Sequence, residues 1–242
     1  MIYFLIPVYN ESLNIEDLRN ELINTLSKKD KKFVFVDDCS TDNTPEIIKD
    51  LFVNSDYKII TKKTNKGPGD SFNLGFEWIL NDSDNNNDLI VTIEGDNTSD
   101  VTILNNMITI CDLGYDIVLA SVYAQGGSLD NTNFFRKTLS FFANIIMRFI
   151  LNLNILTLSS FYRVYKKSLV QEIKQNYNTI ITEAGFLCKV EILIKAIHVG
   201  AKVIEVPTSL RVDKRKAKSK MRIFRTFKDY LRLMLNSRKF NN

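Results

Sequence analysis

Three apolar runs, each ending in carboxylates and small polar residues, constrain this chain most. Ile2 to Val8 leads into Tyr9-Asn10-Glu11. Phe33 to Val36 leads into Asp37-Asp38-Cys39-Ser40-Thr41-Asp42-Asn43-Thr44, and Leu89 to Ile93 into Glu94-Gly95-Asp96. Unbroken apolar runs of this length read as strands buried on both faces. Open parallel α/β sheets bind their ligands at the carboxyl ends of such strands. Carboxylates at several strand ends on one edge point to a nucleotide and a hard cation.

The spacing predicts strands at 2–8, 33–37, 57–61, 88–94 and 115–121, with helices at 12–28, 42–53, 68–81 and 100–113. Ser12, Asp42 and Asp100 have the chemistry of helix N-caps. Alternation of strand and helix predicts an α/β fold with a mostly parallel sheet covered on both faces. After a glycine-containing loop at 122–133, the apolar residues Phe135, Leu139, Phe142, Ile146, Phe149 and Leu153 form one helical stripe over 134–153. That stripe suits core packing, a homodimer contact or docking on a membrane surface. A strand at 162–165, a helix at 185–199, a strand at 201–206 and a last helix at 221–235 complete the reading.

Charge is unevenly spread. Residues 211–239 hold twelve Lys and Arg against Asp213 and Asp229, although the whole chain is only +4. A basic stretch of this kind meets phosphates or anionic lipid; without a recognisable reading module it does not suggest nucleic acid. The reading divides the chain into a domain at 1–210 and a basic amphipathic segment at 211–242. Three cysteines without close pairing read as reduced thiols, which fits a cytoplasmic location. No apolar run is long enough to span a bilayer.

No G-x-G-x-x-G follows the first strand, which argues against a dinucleotide-binding dehydrogenase. Gly67-Pro68-Gly69 lacks the Lys-Ser/Thr of a phosphate-binding P-loop; it either brings backbone close to a nucleotide or only turns the chain into the next helix. Asp38 is the candidate for accepting hydrogen bonds from a base, Asp37 for a turn, and Tyr9 for stacking or packing. Glu94 and Asp96, separated by one glycine, suit a shared divalent ion, with Asp96 the surer ligand. His198 has no recognisable catalytic partner in the sequence.

IPVYNE, VDDCSTDNT, NKGPG, EGD and the segment ending Lys218-Ser219-Lys220-Met221 resemble the inverting family-two glycosyltransferases of the GT-A fold. The resemblance covers nearly the whole chain. Its second half is similar to the polyprenyl-phosphate hexosyltransferases, the branch of the dolichyl-phosphate mannose synthases. The matching residues are Ala120-Ser121-Val122-Tyr123 with Gly126-Gly127, Arg136 and Asn144, Ser160 to Tyr165, Glu191, and Glu205-Val206-Pro207.

The resemblance implies a GDP- or UDP-hexose donor bound by Pro7, Tyr9, Glu11, Asp38, Lys66, Gly67 and Gly95. It implies Mg²⁺ or Mn²⁺ on Asp96 and Glu94, and Asp96, Arg136 and Lys220 as catalytic residues. An acceptor phosphate would meet Arg136, Lys214, Arg215 and Lys220. The enzyme would be peripheral at the inner face of the membrane. Several positions depart from the branch: Val122 and Lys214 stand where it has arginine, Ala217 where it has glycine, Glu94-Gly95 where it has Asp-Ala, and Thr98, Ser99 and Asp100 where that loop continues differently. Two alternatives stay open. One is transfer to a saccharide hydroxyl, for which Glu183 is the candidate base, its competing role being to cap the following helix. The other is nucleotide-sugar binding without catalysis.

Overall fold

The computed structural model describes residues 1–26, 29–129, 144, 145, 148, 154–158 and 160–217. Strand β1 (Ile2–Val8) lies inside a seven-stranded sheet, and its pleat divides its side chains between two cores. Tyr3 and Leu5 enter one; Ile2, Phe4, Ile6 and Val8 enter the other. β2 (Lys31–Asp37) and β4 (Leu89–Thr92) flank β1, both parallel to it. β3 (Tyr57–Thr61) pairs in parallel with β2. β5 (Ile117–Ser121), β6 (Arg163–Lys166) and β7 (Val203–Pro207) complete the order β3-β2-β1-β4-β6-β5-β7. β6 runs antiparallel to β4 and β5, and β7 parallel to β5. The expected mixed, mostly parallel sheet is therefore present.

Helices cover both faces. α1 (Ile15–Thr25), α2 (Thr44–Leu51) and α4 (Leu104–Asp112) bury Leu18, Leu22, Ile48, Met107 and Ile108 against one face. Rings tighten that layer: Phe52 lies edge-on to Phe33 and Phe35 at 4.9 and 4.8 Å. α3 (Pro68–Asp82), α5 (Lys167–Tyr177) and α6 (Cys188–His198) pack on the other face through Phe72, Phe76, Val170, Ile173, Leu193 and Ile194.

Four details differ from the sequence reading. Helix α1 starts at Ile15, not at Ser12; Asn14 precedes it and its amide closes a turn on the Glu11 carbonyl at 2.8 Å. The Ser12 amide instead donates to Asp42. The 100–113 helix is a 3₁₀ turn, Val101–Ile103, followed by α4; Asp100 caps that turn by accepting from the Thr102 amide. Helix α5 was not expected: its apolar face is only Leu169, Val170 and Ile173, a stripe too short to stand out in the sequence. Asn43, not Asp42, is the N-cap of α2; Asp42 lies one residue before it and accepts from the amide and hydroxyl of Thr44 at 3.1 and 2.5 Å. Partial burial opposes its charge, but these bonds and the Ser12 amide outweigh it and hold the carboxyl below its usual range.

The order of β1 to β4 positions the site. The chain moves from β1 outward to β2 and β3, then returns to place β4 on the other side of β1. This reversal opens a crevice beyond the carboxyl ends of β1 and β4, the switch point at which α/β sheets take ligands.

Candidate active site

Loops leaving β1, β2 and β4 meet at that crevice. Each contains a non-glycine residue with positive φ: Asn10 at 54°, Cys39 at 64° and Asn97 at 59°. Such backbone is costly and persists where neighbours enforce it. Here the enforcement is a zipper between two loops. The Asn10 amide donates to Ser40 Oγ at 2.9 Å, and Asn10 Oδ1 accepts from the Thr41 amide at 2.7 Å. Asp37 accepts from the Ser40 amide at 3.1 Å, the turn role expected for it. Gly95 has a steric reason: a Cβ there would lie 2.9 Å from Val8 Cγ1 and 3.3 Å from the Pro7 carbonyl. Glycine lets the β4 loop close against the end of β1.

Asp38 is buried and organises the adjoining wall. Its oxygens accept from the amides of Lys66 and Gly67 at 2.9 and 2.8 Å. The Lys62 ammonium lies 2.6 Å from Asp38 and 2.6 Å from Asp70. A carboxylate has about four acceptor positions, and three donors already meet this one. Gly67 and Gly69 serve packing: Cβ atoms there would lie 2.7 Å from the Ala184 carbonyl and 1.8 Å from the Glu183 carbonyl. The Gly69 amide donates to Ala184 at 2.7 Å. The 182–185 loop is held in turn by Glu191 on α6, which accepts from the Thr182 and Glu183 amides and pairs with Lys195 at 2.7 Å. Glu183 is not the cap of α6, which begins at Cys188; the loop between them adds a turn.

The acidic centre lies beside β1 and β4. Asp96 Oδ1 accepts from the Thr98 hydroxyl and amide at 2.8 and 3.2 Å, and Oδ2 pairs with the Arg215 guanidinium. Burial pushes the Glu94 carboxyl up to about 7, with Asp96 and Glu11 adding to the rise and Lys189 and Arg215 opposing it. Glu11 is fixed through its amide to Thr44 Oγ1 and its carboxylate to Asn14. The donor set is oxygen-only, as Mg²⁺ or Mn²⁺ prefers, and a cationic group already sits on Asp96. Among the described residues no three His, Cys, Asp or Glu side chains are arranged to hold an ion alone. Glu94 and Asp96 thus fit a cation that takes its remaining ligands from water and a diphosphate.

The expected residues Pro7, Tyr9, Glu11, Asp38, Gly67, Glu94, Gly95 and Asp96 are on the loops or strand ends around this crevice, with Tyr9 half-buried. The Lys66 amide joins it through Asp38, while its side chain is exposed. Arg215 reaches the centre directly; Lys214 is exposed on a 3₁₀ turn, Val212–Lys214. Arg136, Lys220 and the 221–235 helix lie outside the described residues, as do all six residues of the 134–153 stripe. Asn144 and Glu205, matched only through motifs, have packing roles. Asn144 accepts from the Leu158 amide, and Glu205 from the Leu156 and Thr157 amides at 2.6 and 2.7 Å.

Sequence reasoning missed Lys62 and Lys189. Lys189 is buried, with its ammonium 4.5 Å from the Phe161 ring centre and 5.4 Å from that of Phe186. The available signal was a helix apolar nearly all round, CKVEILIKAIH, carrying three charged residues. Charges buried on such a helix need partners.

Comparison with known proteins gives a consistent result. The family model described as Glycosyl transferase family 2 matches residues 3–174. The dolichol-phosphate mannosyltransferase of Pyrococcus furiosus is 30% identical over 230 residues, covering 94% of this chain and 61% of that protein. This chain therefore spans less than two thirds of that relative. The polyprenol monophosphomannose synthase of Mycolicibacterium smegmatis is 26% identical over 205 residues, 84% of this chain and 74% of that one. Among solved structures, glucosyl-3-phosphoglycerate synthase from Mycobacterium tuberculosis, in complex with Mn²⁺, UDP and glucosyl-3-phosphoglycerate, superposes with a TM-score of 0.64 at 14% identity. That match covers 97% of this chain and 77% of the other, and it shows the shared fold.

Proposed function

Because the chain belongs to glycosyl transferase family 2, we propose that it moves a hexose from a nucleotide-diphosphate sugar to a polyprenyl phosphate. The observation that carries this reading is the meeting of Asp96 and Glu94 with Arg215 at the switch-point crevice. Carboxylates for a cation and a basic side chain for phosphate oxygens lie side by side, as transfer between two phosphate-bearing substrates requires. The printed names of the Pyrococcus and Mycolicibacterium relatives support the acceptor class.

In this reading Asp38 and the Lys66–Gly67 backbone line the base, with Tyr9 and Pro7 beside it. Glu94 and Asp96 would hold Mg²⁺ or Mn²⁺, which would supply charge neutralisation for the departing nucleoside diphosphate. An oxygen of the acceptor phosphate attacks the anomeric carbon; the bond from that carbon to the donor phosphate oxygen breaks, inverting the centre. The acceptor phosphate is anionic at neutral pH and needs no strong base. Lys214 and Arg215, with Arg136 and Lys220 by resemblance, hold the two anionic groups together. The lipid acceptor of this reading and the basic 211–239 stretch support a peripheral enzyme at the cytoplasmic membrane face. No helix among the described residues is long and apolar enough to cross a membrane.

The test is a thermal-shift panel of GDP- and UDP-sugars with Mn²⁺, followed by transfer of radiolabelled sugar to short polyprenyl phosphates. Label should appear in the lipid fraction and be lost in Asp96→Asn. Label in a saccharide acceptor, abolished by Glu183→Gln with donor binding intact, would replace the lipid reading. Failure of every nucleotide sugar to bind would overturn glycosyl transfer itself.

A further inference from the structure

We propose that Arg215 is an internal counter-ion that competes with the divalent cation for Asp96, so that the 208–217 segment latches the site until donor and cation arrive together. This rests on the metal role given to Asp96 above. The segment lies across the crevice and is tied at both ends. The Thr208 amide donates to the Ser121 carbonyl and the Leu210 amide to that of Ser128. Farther on, the Lys216 amide donates to Asn14 Oδ1 at 2.9 Å, and its ammonium lies 2.7 Å from Asp17. Between these ties, Arg211 donates to the Ser99 carbonyl at 2.7 Å and pairs with Glu21, while Arg215 pairs with Asp96.

Two features mark this as one of two states. A guanidinium on Asp96 Oδ2 and a divalent ion on the same carboxylate oppose each other, because two positive charges held that close in a partly buried site repel. The closed segment also leaves buried polar groups unpaired at and beside its contact with the Asp96 loop. They are Nε of Arg211 and of Arg215, Oγ1 of Thr208, and both side-chain polar atoms of Asn97, whose backbone is held at φ 59°. Orphaned buried donors and acceptors raise the free energy of the arrangement that contains them. Opening exposes them to water, and a diphosphate at the crevice gives the freed guanidinium an anion that fits its fork.

Cation and nucleotide should consequently bind with positive coupling. The cation alone must displace Arg215 into solvent; with the nucleotide present, Arg215 moves onto phosphate.

The experiment measures Mn²⁺ binding to the full chain by the paramagnetic resonance signal of the free ion, with and without GDP or UDP, in the unaltered protein, Arg215→Gln and Arg215→Lys. Without nucleotide, Arg215→Gln should bind Mn²⁺ at least about fivefold more tightly than the unaltered chain, and Arg215→Lys should stay near it. With nucleotide that advantage should shrink or reverse. Hydrogen exchange of the Arg211 and Lys216 amides, which donate to Thr98 and Asn14, should quicken when Mn²⁺ and nucleotide are added to the unaltered protein. Equal or weaker Mn²⁺ affinity in Arg215→Gln, or exchange that does not change, overturns the latch and leaves the family reading intact. No Mn²⁺ binding by any of the three proteins overturns the metal assignment and the latch together.

Discussion

Asp38 illustrates how much one buried carboxylate can organise. It draws the Lys66 and Gly67 amides and the Lys62 ammonium to one point, so the wall facing β2 depends on its charge. Asp38→Asn keeps the shape and removes the charge. Hydrogen bonds to charged groups contribute about 1.5–3 kcal/mol each, and one amide oxygen replaces two carboxylate oxygens. The expected outcome is a loss of about 1.5–3 kcal/mol in urea unfolding, with weakened UDP or GDP binding by calorimetry. Unchanged stability would mean that Lys62 and the loop find other partners. The sequence showed Asp38 as a site residue because a carboxylate at a strand end is conspicuous. It did not show the inward bonds, because Lys62 lies on another strand end and pairing across β2 and β3 leaves no trace in spacing. Lys189 was hidden for the same reason, since its rings come from Phe161 and Phe186.

Among the elements, the β1 to β4 half was legible because β1 and most of β2 and β4 are apolar runs and α1 and α3 bury apolar residues at helical spacing. The second half was less so. β6 is four residues, α5 has three buried apolar side chains, and the loop at 182–185 is fixed by Glu191 from α6. Contact between the start of α3 and that loop yields a sharp prediction. A Cβ at Gly69 would fall 1.8 Å from the Glu183 carbonyl, which is backbone and cannot swing aside. Gly69→Ala should lower stability by about 1–3 kcal/mol or more, read by urea melts, whereas the same change at Gly126 meets only Pro207 side-chain atoms at 3.7 Å and beyond and pays only for its φ of +93°. Equal losses at the two positions would show that the loop gives way.

At the far side of the sheet, Asp116 ties β5, β6 and β7 together. It accepts from the Lys202 amide at 2.9 Å and from the Lys166 ammonium at 3.0 Å. Partial burial works against its charge, but these two partners outweigh burial and hold its carboxyl below the usual 3.8. A depressed carboxyl stabilises the fold above its unfolded value, and that contribution disappears as pH falls through the folded value. The chain should therefore lose stability below about pH 3.8 with a slope that Asp116→Asn reduces. Parallel pH–stability curves for the two proteins, from thermal melts, would remove Asp116 from the acid response.

For the molecule as a whole, charge is distributed by position along the chain. Twelve Lys and Arg lie in residues 211–239, and the remainder of the chain is acidic on balance. Three of the first four, Arg211, Arg215 and Lys216, pair with Glu21, Asp96 and Asp17. All of those partners lie before Met221 in the chain. Attraction of a basic stretch to anionic lipid is additive at about 1 kcal/mol per basic residue near the surface, and it fades within a Debye length. Truncation before Met221 should abolish sedimentation with phosphatidylglycerol-containing vesicles at low salt. The full chain should sediment with them and be released as salt rises. Equal sedimentation of both proteins would assign the membrane contact to residues before Met221, and salt-resistant binding would show that apolar burial, not charge, carries it.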